Sequence, residues 1–259
     1  MIMLLDKKNI IVVGGTSGIG KSAVKAFINE GARLTVIGRD SKKLSDIQTD
    51  LGNYGIAIEG DASNPKTINY AIKQSLDKFG DLHGLYHVAG GSGREEGDGP
   101  IHKISDKAWD YTLSINLDSI FYSNRAVIQQ LMNQGNGGTI LNMSSVLGFS
   151  PSSKFFSTHA YASTKAAIVG LSKSLASYYS KYNIRINVIS PGLIATPMSK
   201  RAQSNKNILS YIKQKQSLGG GRIGEAIDLD GAATYFMSDK SSFTTGQVLS
   251  IDGGWSVNG

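Results

Sequence analysis

Cysteine is absent from all 259 residues. That excludes disulfides, a thiolate nucleophile and a cysteine-built metal site, and it favours a reducing compartment, so a cytoplasmic location is expected. No apolar run approaches the roughly 20 residues of a membrane helix. Residues 1–13 begin apolar, but Asp6, Lys7 and Lys8 interrupt them and glycines follow at once, the pattern of a first strand rather than a signal peptide. Nor is there a long basic run. The formal charge of +7 comes from Lys and Arg scattered over several helical stretches. Neither nucleic acid nor a membrane surface is therefore an expected partner, whereas a phosphate-rich cofactor gains from the positive field. Internal repeats and a linker-like composition are missing as well. One domain over residues 1–259 is expected, with one large core.

Glycine is plentiful instead. Its 31 residues are well above the usual share of roughly 7%, so the chain uses glycine for backbone geometry. Short Val- and Ile-rich runs at 9–13, 33–37, 55–59, 84–88, 138–142, 184–189 and 247–251 read as strands. Between them lie stretches of helical period at 19–30, 41–50, 65–79, 105–132, 160–182, 206–216 and 225–238, several preceded by Ser, Asp or Asn caps. The alternation is the βαβ signature. Continuous apolarity in the strands calls for a sheet buried on both faces, so the expected fold is α/β: a Rossmann-type, doubly wound, seven-stranded parallel sheet with helices on both faces.

Directly after the first strand stands Gly14-Gly15-Thr16-Ser17-Gly18-Ile19-Gly20, and a helix follows. Glycine suits a tight turn, close approach of the backbone to a pyrophosphate, and packing of helix on strand. The helix N-terminus then offers free N–H groups and a positive dipole end. In that setting the turn reads as a dinucleotide site.

The second strand ends Ile37-Gly38-Arg39-Asp40. An acidic residue there would bind the ribose 2′-hydroxyl of NAD, whereas an Arg accommodates the 2′-phosphate of NADP. Gly38 leaves the acidic position empty and Arg39 follows, so NADP(H) is favoured, with NAD(H) the alternative if Asp40 turns back to the ribose. Asp61, after the third strand, reads either as an adenine contact or as a cap for the helix starting near Pro65.

Tyr161-Ala162-Ser163-Thr164-Lys165 puts a phenol and an ammonium one helical turn apart on one face. A free tyrosine titrates near 10, and a neighbouring cation favours its phenolate, as acid/base work near neutrality requires. The strand at 138–142 runs into Met143-Ser144-Ser145, where sites of open α/β sheets collect. Ser145 is the preferred hydroxyl for a substrate oxygen, with Ser144 the alternative.

In their order, the glycine turn, Asn116 in Ser114-Ile115-Asn116-Leu117, Ser145, Tyr161 with Lys165, Pro191-Gly192-Leu193-Ile194-Ala195-Thr196, and Thr245-Gly246-Gln247 with Asp252-Gly253-Gly254 resemble the short-chain dehydrogenase/reductase family. The resemblance implies an oxidoreductase that moves hydride between nicotinamide and an alcohol/carbonyl pair. Tyr161 would be the acid/base, Lys165 would lower its pKa and bind the nicotinamide ribose, and Ser145 would polarise the carbonyl. Asn116 would hold a water linking Lys165 to solvent, and Ile194 and Thr196 would fix the carboxamide. Cofactor contacts would come from Gly14, Thr16, Ser17, Gly18, Ile19, Gly20, Arg39, Asp61, Ala89, Gly90, Tyr161, Lys165, Pro191, Gly192, Ile194 and Thr196, without a metal. The partner would be a small carbonyl or alcohol substrate. A homo-oligomer, tetramer or dimer, would be built through the helices at 105–132 and 160–182.

Two departures stand out. His87-Val88-Ala89-Gly90 replaces the family's usual Asn-Asn-Ala-Gly, and His87 reads as a core residue more readily than as a proton carrier. Ser145 and Tyr161 lie sixteen positions apart, a little more than the family's habit. The extra length falls at 149–159, which with 90–100 and 196–221 makes the expected substrate loops. Phe155 or Phe156 would line the pocket, Arg94 or His159 would meet a polar or anionic substrate group, and Gly219-Gly220-Gly221 would hinge a lid. The rival readings are an NAD-linked sugar, polyol or alcohol dehydrogenase, and a dinucleotide-binding sensor without turnover.

Overall fold

The computed structural model describes residues 3–258; Met1, Ile2 and Gly259, the outermost positions of the expected domain, lie outside them. The first half alternates strictly: β1 (Asn9–Val13), α1 (Gly18–Asn29), β2 (Arg33–Gly38), α2 (Ser41–Leu51), β3 (Gly55–Glu59), α3 (Pro65–Phe79) and β4 (Gly84–His87). The second half adds α4 (Asp106–Leu113), α5 (Ser119–Gln134), β5 (Gly138–Met143), α6 (His159–Tyr179) and β6 (Ile184–Pro191). It closes with α7 (Lys200–Gln203), α8 (Lys206–Lys215), α9 (Asp230–Met237) and β7 (Val248–Ile251). Seven strands form one parallel sheet in the order β3-β2-β1-β4-β5-β6-β7.

Strand β1 shows why the apolar run is unbroken. Ile10 and Val12 face a cluster with Ala23, Val24 and Phe27 of α1 and Phe236 and Met237 of α9. Ile11 and Val13 face the opposite cluster, with Ile68, Ala71 and Ile72 of α3 and Val127, Ile128 and Leu131 of α5. Every residue of the strand is buried, and each of its Ile and Val side chains contributes about 1.5–3 kcal/mol of transfer free energy. The chain leaves β1 in one direction and returns to its other side with β4, so a crevice opens beyond the carboxyl ends of those two strands. There the backbone N–H groups of Val88 and Ala89 both donate to Val13 O at 2.9 Å. This shared acceptor ends β4 one residue earlier than expected.

The single helix expected over 105–132 is divided by a π-helical turn at Ser114–Asp118, a feature that apolar period does not reveal and that is frequent at functional sites. In the stretch at 225–238 only Asp230–Met237 is α-helical, after a 3-10 turn at Ala226–Leu229. The polar 196–221 segment has a core of its own. Ala202, Ile208 and Ile212 pack with Val146 and Trp255, which fixes α7 and α8 against the end of the sheet.

Candidate active site

A cleft of about 760 Å³ opens at the carboxyl ends of the central strands. Gly14, Thr16, Ser17, Gly18, Ile19, Arg39, Asp61, Ala89, Gly90, Ser145, Tyr161, Lys165, Pro191, Gly192, Ile194 and Thr196 all line it. Of the residues singled out from the sequence, Gly20 and Asn116 sit behind its wall. A Cβ at Gly20 would run into the carbonyl of Gly14, so Gly20 lets α1 pack onto the turn. Gly14 itself has φ +86°, and a Cβ there would stand 2.7 Å from the backbone nitrogen of Ala89.

The N-terminus of α1 is open. Ser17 makes no side-chain capping bond and the first turn carries no acidic residue, so its N–H groups and dipole are left for an external anion. Thr196 closes the opposite side, since a Cβ at Gly18 would lie 3.0 Å from its methyl carbon. A backbone cradle that side chains would fill, facing an uncapped helix, fits a dinucleotide pyrophosphate.

At the far end, a Cβ on Gly38 would collide with the Thr16 side chain. The position that would carry an NAD-type carboxylate is thus filled by a neighbour. Asp40 caps α2, accepting from Lys43 N at 3.1 Å and pairing with Lys43 Nζ at 3.1 Å. The Lys43 N–H and ammonium hold its carboxyl below the ordinary range. Arg39 is exposed, and its nearest acid is Asp61 at 3.8 Å. The capping role considered for Asp61 belongs to Asn64, which accepts from Lys66 N at 3.0 Å. Asp61 instead accepts from the backbone N–H and the hydroxyl of Ser63, both at 2.8 Å, closing a tight turn.

Tyr161 and Lys165 project from α6 into the cleft, with the Lys165 nitrogen 5.4 Å from the phenol ring centroid. Lys165 is 2% exposed and donates to Met143 O at 3.0 Å. Burial without a countercharge draws its pKa down to about 7. Burial also pushes the Tyr161 phenol up to about 12, opposed by the Ser145 hydroxyl beside it. In this structure burial, rather than the neighbouring cation, dominates the state of both groups. Ser145 Oγ accepts from Leu147 N at 3.2 Å. Ser144 also lines the cleft, but its hydroxyl donates to Lys165 O at 2.7 Å, bracing the helix.

Asn116 sits on the π-helical turn with no exposed surface. Its amide donates to Thr112 O and Gly91 O, both at 2.9 Å, and its carbonyl accepts from Gly91 N at 3.2 Å. Gly90 lies between it and Lys165: a Cβ there would stand 2.6 Å from Asn116 Oδ1 and 3.5 Å from Lys165 Nζ. The side chain thus fixes the loop that separates the two.

His87 is a core residue. It has no exposed surface, contacts Ser123 Oγ at 3.1 Å and Ser119 Oγ at 3.4 Å, and is pushed down to about 3 by burial and then by the Lys165 charge. Of the loop aromatics, Phe156 lines the cleft and stacks edge-on against Trp255 at 5.6 Å. Phe155 packs on Tyr211 instead. Arg94 lines the cleft. His159 is exposed, and its Nδ1 accepts from Ile101 N at 3.1 Å, so its ring ties the segment just after 90–100 to α6.

Three contributors escape a reading by motif. Asp98 is 3% exposed and accepts the backbone N–H groups of Ala160 at 3.0 Å and Tyr161 at 2.8 Å. Gln216, also buried, accepts from Leu193 N and donates to Leu193 O at 3.2 Å, holding the segment after β6. Trp255 lines the cleft. An isolated acid in Gly97-Asp98-Gly99 was the one available signal, and only for the first.

A family model described as enoyl-(acyl carrier protein) reductase matches residues 13–256. The L-rhamnose-1-dehydrogenase of Scheffersomyces stipitis is 32% identical, spanning 100% of this chain and 99% of that protein. The NADP-dependent (R)-specific alcohol dehydrogenase of Lentilactobacillus kefiri is 30% identical, spanning 98% of each. A solved structure of a short-chain type dehydrogenase/reductase from Mycobacterium ulcerans matches with a TM-score of 0.89 at 29% identity, covering 98% of this chain and 91% of that one.

Proposed function

The chain belongs to the short-chain dehydrogenase/reductase family, and on that premise we propose that it is an NADP-dependent carbonyl reductase with Tyr161 as general acid/base. Its class is that of NAD(P)-dependent dehydrogenases acting on CH–OH groups. The observation that carries the finer reading is that Ser145, Tyr161 and Lys165 share one cleft with the glycine turn and Arg39. NADP is favoured by Thr16 filling the space above Gly38, by Asp40 being spent as a cap, and by an exposed Arg39 guanidinium that suits bidentate phosphate binding.

In this reading the glycine turn and the first N–H groups of α1 hold the pyrophosphate. Arg39 takes the 2′-phosphate, Lys165 the nicotinamide ribose, and Ile194 and Thr196 the carboxamide. When bound, the nicotinamide supplies the hydride. Tyr161, protonated at neutral pH with its pKa at about 12, gives its proton to the substrate carbonyl oxygen as negative charge develops there. The Ser145 hydroxyl orients and stabilises that oxygen. Negative charge brought into the cleft favours the Lys165 cation, which in turn draws the phenol down for the reverse reaction. Asn116 keeps the 90–91 backbone clear of Lys165.

The stretches at 90–100, 149–159 and 196–221 form the substrate side, with Phe156 and Trp255 as its apolar wall. A homo-oligomer, tetramer or dimer, is proposed through α5 and α6, whose outer faces expose Phe121, Met132 and Tyr178 and, in the turn after α6, Tyr182 around a shared depression of about 480 Å³. Among the described residues no helix is long and apolar enough to cross a membrane, and a cytoplasmic site of action accords with the cysteine-free sequence. The test is NADPH consumption over a panel of ketones and aldehydes, with NADH in parallel. NADPH-dependent turnover is expected, and cofactor binding without any turnover overturns the reading.

A further inference from the structure

Positive charge on the substrate side of the cleft is not used by the proton and hydride chemistry. Arg94, in the 90–100 stretch, and Arg201, in α7, line the same cleft as Ser145 and Tyr161. They come from segments more than a hundred residues apart, yet each lies within the other's field. Arg94 is half-buried, and its pKa is held below the ordinary value by lost hydration and by Arg201. Among the described residues neither guanidinium has a carboxylate oxygen within 4.0 Å. Asp98 offers Arg94 some attraction, but its two oxygens are engaged by the N–H groups of Ala160 and Tyr161. Glu95 and Glu96 line the rim but are exposed to solvent.

Arg201 is also held in place. One of its nitrogens donates to Phe155 O at 3.1 Å, and its guanidinium lies 5.9 Å from the Phe156 ring, which itself lines the cleft. Lys200 adds a third cation to the same wall. Two like charges brought together, one of them partly desolvated and neither neutralised, are unfavourable unless an anion joins them. The guanidinium fork matches the planar or tetrahedral oxygens of carboxylate and phosphate. Arg39, the residue assigned to a cofactor phosphate, belongs to the other end of the cleft, after β2.

We infer that the substrate carries an anionic oxygen group, a carboxylate or a phosphate ester, which Arg94 and Arg201 clamp between them while its carbonyl lies on Ser145 and Tyr161. The inference rests on the carbonyl reductase reading above. It makes the enzyme a reductase of oxo acids or phosphorylated oxo compounds rather than of neutral ketones, and it gives the 90–100, 149–159 and 196–221 segments one common task.

The experiment uses pairs of carbonyl compounds that differ in whether they carry the anionic group: levulinate with methyl levulinate, and dihydroxyacetone phosphate with dihydroxyacetone. The wild-type enzyme is expected to prefer the charged member of at least one pair by tenfold or more in kcat/KM, and the pair that responds separates carboxylate from phosphate. In Arg94→Gln and Arg201→Gln that ratio falls towards one, Arg201→Lys keeps part of it, and NADPH affinity stays within about twofold. Three results overturn the inference: equal or better use of both neutral members, a preference untouched by either substitution, or a loss of NADPH affinity that assigns the arginines to the cofactor. Turnover of neutral compounds alone leaves the reductase reading standing while this inference fails. Absence of turnover with these compounds and over the whole ketone and aldehyde panel sinks both.

Discussion

Asp98 reaches across the cleft wall to cap the helix that carries Tyr161. Its carboxylate accepts the backbone N–H groups of Ala160 and Tyr161, at 3.0 and 2.8 Å, from a loop some sixty residues earlier in the chain. Thr158, the residue in the capping position of α6, makes no side-chain capping bond. The N–H groups orphaned at the start of α6 are thus satisfied by a buried, negatively charged group on another segment, which also favours the positive end of the helix dipole.

From this contact Asp98→Ala is expected to destabilise the protein by about 1–2 kcal/mol, the usual worth of a cap, and to lower kcat while NADPH affinity changes little. Asp98→Asn, which keeps one acceptor, recovers part of both losses. Urea unfolding and steady-state kinetics read the two effects. A kcat unchanged in both variants would show that the contact holds the loop but does not set the position of Tyr161.

In the proposed reading, cofactor choice turns on Thr16, Gly38 and Arg39. Arg39→Ala is expected to weaken NADPH binding by about tenfold or more, consistent with loss of a charge-assisted contact, and to leave NADH binding unaltered. Gly38→Asp alone meets the Thr16 side chain and disturbs binding of both cofactors. Combined with Thr16→Ala it makes room for a ribose-binding carboxylate and moves preference towards NADH. Fluorescence titration of each variant with both cofactors decides. A wild-type protein that binds NADH as tightly as NADPH removes the basis of this prediction.

His87 makes stability depend on acid. Its folded pKa of about 3 lies below the ordinary 6.5, through burial first and the Lys165 charge second. Between those values the unfolded chain binds a proton that the folded chain does not, so stability is full above pH 6.5 and is lost as pH falls towards 3. Inside the window the loss is about 1.4 kcal/mol for each pH unit. His87→Asn, which removes the titrating group, is expected to flatten that slope in denaturant unfolding measured at pH 7, 6, 5 and 4. Identical slopes for the two proteins would assign the acid sensitivity elsewhere.

The sheet was legible because its strands are buried on both faces. An unbroken run such as Asn9–Val13 admits few other environments, and the start of α3 was marked by Pro65. The site elements written as local motifs were legible too: the glycine turn, Tyr161 with Lys165, and Arg39 after β2. What escaped depends on contacts between distant segments. Asp98 caps a helix 62 residues away, Gln216 braces Leu193 from α8's end, and the π-helical turn at Asn116 is set by side-chain bonds to Gly91 and Thr112. The pKa of Tyr161 could not be read from its spacing to Lys165, because burial acts on both groups and spacing says nothing of burial. The capping of α3 by Asn64 rather than Asp61 follows from the turn that Asp61 closes with Ser63, a local competition between two acceptors that sequence leaves open.

The most direct measurement is Tyr161→Phe, assayed for turnover of the best carbonyl substrate and, on the same preparation, for NADPH binding. The substitution keeps the ring and removes the phenolic hydroxyl, the group assigned as proton donor. The expected result is a fall in kcat of about 10²–10⁴-fold, the scale of general acid catalysis, with the NADPH dissociation constant within about twofold of wild type. Turnover that survives the substitution would contradict the assignment of Tyr161 as the acid/base.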